Sequence, residues 1–148
     1  MGNQLNFQVA STPSYGDFAV KNYSTTVTIP SNVFVVCDTT NVLGAVSSAD
    51  GIGVMLPSGD GTQVGIGITM ESIAPGATGR IRSLGTAVTT ADGAITAGGF
   101  VQATNDSNKV GFAKALAANA TASGVALNTA ADGDPCLVLL GRSVTKTT

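Results

Sequence analysis

Apolar residues along this chain come in short runs, broken every few positions by Gly, Pro, Asp or Ser, and almost none recur at helical spacing. That is the pattern of a many-stranded β protein. Two segments alternate cleanly. Gly51-Ile52-Gly53-Val54-Met55-Leu56 sets Ile52, Val54 and Leu56 on one face, and Gly65-Ile66-Gly67-Ile68-Thr69-Met70 sets Ile66, Ile68 and Met70 on one face. With the turn-rich Pro57–Gln63 between them, the pattern predicts a hairpin. The alternate glycines leave the opposite face bare, which marks a sharp barrel bend or close approach of another backbone, from this chain or a neighbouring subunit.

Further strands are predicted at Thr25–Ile29, Val33–Asp38, Gly79–Leu84, Phe100–Ala103, Val110–Ala115 and Cys136–Arg142. The Ala-rich stretch Lys114–Ala122 admits a short helix. Asp-Gly pairs at Asp50-Gly51, Asp60-Gly61, Asp92-Gly93 and Asp132-Gly133 mark tight turns, since both residues tolerate positive φ. Their flanks differ, so they read as recurring turn chemistry rather than internal repeats. The first 30 residues stand apart. They hold Phe7, Tyr15, Phe18 and Tyr23, four of the seven aromatic residues, and show no alternation before Thr25. The expectation is an all-β chain: an extended N-terminal arm over residues 1–24, then a compact β-barrel or β-sandwich domain over 25–148. Phe7, Tyr15, Phe18 and Tyr23 become candidate partner contacts, because aromatic rings are enriched at interface cores. The competing reading packs these rings on the chain's own barrel.

Composition sharpens this picture. The chain has 148 residues, enough for one domain to bury a sizeable core. Charged residues make up 11%, against about 25% in ordinary soluble domains. Such a surface is either neutral and rich in Ser, Thr and Asn or partly covered by partners. With a net charge of −2 and seven dispersed basic residues, there is no stripe to track nucleic-acid phosphates. Arg80 and Arg82 read as solvent-facing strand positions flanking a buried Ile81. The longest apolar runs, Val33–Cys37 and Cys136–Leu140, fall far short of the roughly 20 residues of a membrane helix. The opening residues lack the basic start and apolar centre of a signal peptide. Cys37 and Cys136 both sit in apolar strand-like runs and read as buried thiols; spacing does not decide whether they pair.

Catalytic chemistry has little to work with. The chain has no His, which removes Ser-His-Asp and Cys-His nucleophile systems and the usual catalytic zinc ligands. Asp132 and Asp134 sit in a turn leading into the last strand, so turn duty is the simpler reading, and no loop has calcium-ligand spacing. No enzyme, cofactor or metal is expected. A sugar-binding module would usually stack its ligand on Trp or Tyr, and the chain has no Trp and two Tyr.

The pieces Gly79-Arg80-Ile81-Arg82-Ser83-Leu84-Gly85, Ala91-Asp92-Gly93-Ala94-Ile95-Thr96-Ala97-Gly98-Gly99, Val101-Gln102-Ala103, Val110-Gly111-Phe112-Ala113 and Gly133-Asp134-Pro135-Cys136-Leu137-Val138-Leu139-Leu140 occur in this order. In order and in low-charge composition they resemble the cement or decoration proteins of tailed-bacteriophage heads. The resemblance covers a little under half the chain. It departs in a longer N-terminal region and a longer connection from Ala115 to Asp132. It implies a non-enzymatic virion protein, made in the host bacterial cytoplasm, that sits on the capsid surface as a homotrimer bridging major capsid protein subunits. It implies no cofactor, and the charge and run lengths above add the expectation of no nucleic acid and no membrane partner. A tail-tube or other β-rich virion subunit, and a carbohydrate- or receptor-binding module, are the alternatives.

Overall fold

A computed structural model of the chain describes residues 16–40 and 52–141. Within them the chain is built of strands and turns, with no helix. The strands are β1 (Asp17–Asn22), β2 (Phe34–Cys37), β3 (Ile52–Met55), β4 (Gly67–Thr69), β5 (Thr78–Arg82), β6 (Gly85–Asp92), β7 (Phe100–Ala103), β8 (Ala113–Ala115), β9 (Gly124–Ala126) and β10 (Pro135–Leu140). They close into two five-stranded barrels, ordered β1-β3-β2-β4-β5 and β6-β8-β7-β9-β10. The all-β expectation holds.

The two barrels are one architecture used twice. In each, the first and third strands run parallel and every other neighbouring pair is antiparallel. The registers coincide as well. Phe34↔Ile68 and Val35↔Gly67 correspond to Phe100↔Val125 and Val101↔Gly124. Cys37↔Val54 corresponds to Ala103↔Ala113, and Asn22↔Val54 to Ala91↔Ala113. A bridge between loops closes each barrel, Ile29↔Ile73 in the first and Ile95↔Ala130 in the second. Three residues after each bridging position the chain takes a positive φ, at Asn32 (60°), Gly76 (74°), Gly98 (82°) and Gly133 (85°). Gly and Asn are the residues that enter this region at least cost, and the turn they make feeds the next strand.

Several expectations are corrected. Segments 52–55 and 67–69 do not form a hairpin: β2 lies between them, pairing with β3 on one edge and β4 on the other. Loop-closure entropy grows slowly with length, so the 56–66 connection crosses β2 at small extra cost. Residues 17–22 of the expected arm are β1, paired to both β3 and β5, while residues 1–15 lie outside the described residues. The stretch expected as one barrel or sandwich over 25–148 supplies most of one barrel and all of a second. Thr25–Ile29 contributes only the Ile29 bridge, and Lys114–Ala122 starts in β8 rather than a helix.

The first core gathers Val20, Ile29, Val33, Val35, Val54, Ile73 and Ile81. The second is made largely of small residues, with Ala87, Ala91, Ala103, Ala113, Ala126 and Ala130 around Val101, Cys136, Val138 and Leu140. Phe34 and Ile68 belong to the first barrel by strand but join the second barrel's cluster. Side chains alternate along a strand, so with Val33 and Val35 turned inward, Phe34 points out through the wall onto the second barrel. Each such apolar side chain buried adds roughly 1.5–3 kcal/mol, which joins the barrels.

Candidate interaction surface

The joint between the barrels is polar as well as apolar. The Phe34 N–H donates to the Gly111 carbonyl at 2.7 Å. The 56–66 loop, anchored between β3 and β4, lies across the second barrel. There the Gly61 N–H donates to the Ala103 carbonyl (3.2 Å) and the Gly61 carbonyl accepts from the Thr121 N–H (2.9 Å). The Gly65 N–H donates to Ser123 Oγ at 2.9 Å. A Cβ at Gly65 would meet the Phe34 ring at 2.8 Å, an approach of side chains rather than backbone, whereas a Cβ at Gly67 would lie 2.6 Å from the Arg82 carbonyl oxygen; in both cases the approaching atoms are the chain's own.

Charged groups collect beside this joint. Lys114 Nζ lies 3.1 Å from Asp60 Oδ2 and 3.7 Å from Asp92 Oδ2, and Lys109 Nζ lies 3.1 Å from Asp92 Oδ1 and 2.5 Å from Asp132 Oδ1. Burial pushes the Asp60 carboxyl up, but Lys114, with Gln102 and Thr104, outweighs it and holds the carboxyl below its ordinary value. Lys109 and the Gly93 N–H lower Asp132 in the same way. Hydrogen bonds donated to their carboxylate partners raise both Lys109 and Lys114. The ammonium groups are therefore held protonated at neutral pH, the opposite of what a lysine nucleophile or base needs. Geometrically the network ties β6, β8, the β7–β8 loop and the β9–β10 turn to the 56–66 loop. Among the described residues no three of Asp, Glu, Cys or His group as metal ligands. Open clefts of about 360 Å³, lined by Asn22, Val27, Asp38 and Leu56, and about 500 Å³, lined by Pro30, Leu56, Thr90 and Phe112, gather no reactive cluster.

The residues singled out from sequence fall in different places. Phe7 and Tyr15 lie outside the described residues. Phe18, on β1, is half-buried against the first core. Tyr23 sits with Lys21 Nζ 5.0 Å from its ring centre, and its ring packs on Gly53. Ile81 is buried as expected between an exposed Arg80 and a half-buried Arg82, whose guanidinium grips Asp17 through two bonds of 2.7 and 3.1 Å. Cys136 is buried, Cys37 is exposed, and both are free thiols.

Sequence reasoning missed the feature that most looks like a contact surface. On the outer wall of the second barrel Val88 faces Leu137, Leu139 faces Val125, and Val125 faces Phe100. Leu137 and Leu139 share a face, so the five form one apolar band across four strands. Phe100, Val88 and Leu137 are 40%, 45% and 37% exposed, and Leu127 beside them is 44% exposed. No charged residue interrupts the band. The run Cys136-Leu137-Val138-Leu139-Leu140 is apolar on both faces rather than alternating with polar residues, and that is the sequence signal that could have found the band.

No protein-family model matches the sequence. No curated protein matches it. Among solved structures, the chain is similar to the N base of head fibre gp8.5 in bacteriophage phi29, with a TM-score of 0.60 and 16% identity, over 86% of this chain and 94% of that one. At that identity the likeness is one of fold, and it spans nearly the whole of that N-base chain.

Proposed function

We propose that this chain is a virion structural protein that binds the outer surface of a tailed-phage capsid and acts by contact rather than by turnover. The supporting observation is the shared fold with a phage head-fibre base across 94% of that chain. The chain's own chemistry fits. It is low in charge and without imidazole, its Lys109–Asp92 and Lys114–Asp60 pairs tie its own strands and loops together, and it carries an apolar band on an outer wall. The finer reading is a cement role: a homotrimer bridging major capsid protein subunits, which stabilises the shell by mass action because it binds the assembled form.

The test is to mix purified chain with empty mature heads of its own phage and pellet them. Saturable co-pelleting is expected; no binding at any chain-to-head ratio sinks the reading. A second reading follows from the neighbour's being a fibre base: the chain anchors a fibre to the head without clamping it. Thermal rupture of the heads separates the two. A cement raises the rupture temperature on saturation, whereas a fibre base binds and leaves it unchanged.

A further inference from the structure

The band on the second barrel has an exact counterpart in register on the first, and the two are used differently. Phe100 and Val125 correspond to Phe34 and Ile68. Leu139, Leu137 and Val88 correspond to Arg82, Arg80 and Ala19. On the first barrel the two apolar positions, Phe34 and Ile68, are fully buried under the second barrel, and the positions beyond them carry arginine or alanine. On the second barrel all five are apolar, and Phe100 stands 40% exposed where Phe34 is 0%.

We propose that the Phe100–Val125–Leu139 face of the second barrel docks onto the first barrel of a second copy of this chain, repeating between chains the head-to-tail contact that joins the barrels within one. The occupant is argued from the molecule itself: the body that covers this face on the first barrel is another barrel of the same architecture. The receiving end is present too. The Phe34 N–H meets the second barrel at Gly111, and Ile52 holds the register position on the first barrel that Gly111 holds on the second. Ile52 is an isoleucine 43% exposed to solvent, suited to a phenylalanine face. Replacement of Arg80 and Arg82 by Leu137 and Leu139 at matching positions is expected if the wider band must be covered. A head-to-tail contact of this kind is heterologous, so it closes into a ring or runs on as a filament. Three chains would close a ring of six alternating barrels. The inference rests on reading the chain as an oligomeric subunit, and its test uses purified chain without capsids, so its failure leaves capsid binding standing.

The experiment measures solution mass by light scattering for the full chain, Phe100→Asp and Val27→Asp. Val27 is an exposed apolar residue of the first barrel outside the band. Phe100→Asp should lower the mass about threefold, trimer to monomer, with its circular dichroism intact, while Val27→Asp stays as wild type. A monomeric wild type, or a Phe100→Asp chain of unchanged mass, overturns the proposal. Cross-linking covers the case in which Phe100→Asp fails to fold. On a Cys37→Ser background, Phe100→Cys chains are mixed with Ile52→Cys chains and oxidised. Disulfides between the two kinds of chain are expected; disulfides only between Phe100→Cys chains would show a symmetric contact and overturn the head-to-tail arrangement.

Discussion

The Phe34 amide donates to the Gly111 carbonyl at 2.7 Å, while the Phe34 ring leaves its own barrel and enters the neighbour's apolar cluster. One residue thus couples the barrels through both its backbone and its side chain. Truncating Phe34 to Ala should destabilise the chain by about 3–5 kcal/mol, the range for a buried ring that leaves a cavity. Urea unfolding checks this. A loss below about 1 kcal/mol would mean the barrels do not depend on each other through this ring.

Gly111 is the other half of that contact. Its φ is +82°, and a Cβ there would lie 2.8 Å from both the Phe34 carbonyl oxygen and Val33 Cβ. Gly133 has a similar φ of +85°, but a Cβ there meets nothing within 4 Å. Gly133→Ala should therefore cost only the left-handed strain of about 1–2 kcal/mol. Gly111→Ala should cost clearly more, because backbone must shift to admit the methyl group. Equal melting temperatures for the two variants would contradict the close approach.

Asn22 is buried where β1 ends. Its side-chain amide donates to the carbonyls of Val27 (2.7 Å) and Ile73 (3.1 Å), and its Oδ1 accepts from the Ser24 N–H (3.1 Å). Asn22→Ala strands these groups beside the Ile29–Ile73 bridge and should cost about 1–3 kcal/mol. Thermal denaturation against wild type is the measurement, and an unchanged midpoint counts against the role.

The Asp60–Lys114 pair makes the joint between the barrels sensitive to pH. Asp60 has a folded value below its unfolded one, so its stabilisation is present above the ordinary carboxylate range and disappears as pH falls through the lowered value. Lys114 has a folded value above its unfolded one, so its share is complete below the ordinary lysine range and disappears as pH rises through the raised value. Both side chains are partly exposed, which limits the effect to at most about 1 kcal/mol. Asp60→Asn should be less stable than wild type near neutrality, and the gap should close in acid. A gap that ignores pH refutes the pairing.

The two thiols should differ sharply. Cys37 is exposed, while burial raises the Cys136 thiol above its ordinary value and shields it. A thiol-specific reagent should titrate one sulfur in the folded chain and the second only on unfolding. Two fast-reacting thiols in the folded protein would contradict the buried placement.

The strands legible in the sequence were those with large apolar residues between turn residues. Phe100–Ala103 was read to the residue, and Phe34–Cys37, Thr78–Arg82 and Pro135–Leu140 to within one or two positions at most ends. The second barrel's longest strand, Gly85–Asp92, was missed because its inward residues are Ala87, Thr89 and Ala91, too small to write an apolar period. The same alanine-rich core made Lys114–Ala122 look helical. Asp17–Asn22 was hidden by an aromatic neighbourhood that resembled an interface. The shared architecture has a faint counterpart in the sequence, Ile29-x-x-Asn32-x-Phe34 against Ile95-x-x-Gly98-x-Phe100, while matching core positions such as Val54 and Ala113 differ in size.

The sequence alone determined that this chain is made of strands, where several turns take positive φ, and that its chemistry lacks imidazole. Those properties belong to single residues and their immediate neighbours, so they can be read locally. Only the tertiary structure decided that β2 separates the two segments read as a hairpin, that the strands divide into two barrels of one register, and that Phe34 is covered while Phe100 faces outward. Those are choices of partner between distant segments. Loop closure barely distinguishes one distant partner from another, so packing of the whole molecule makes the choice.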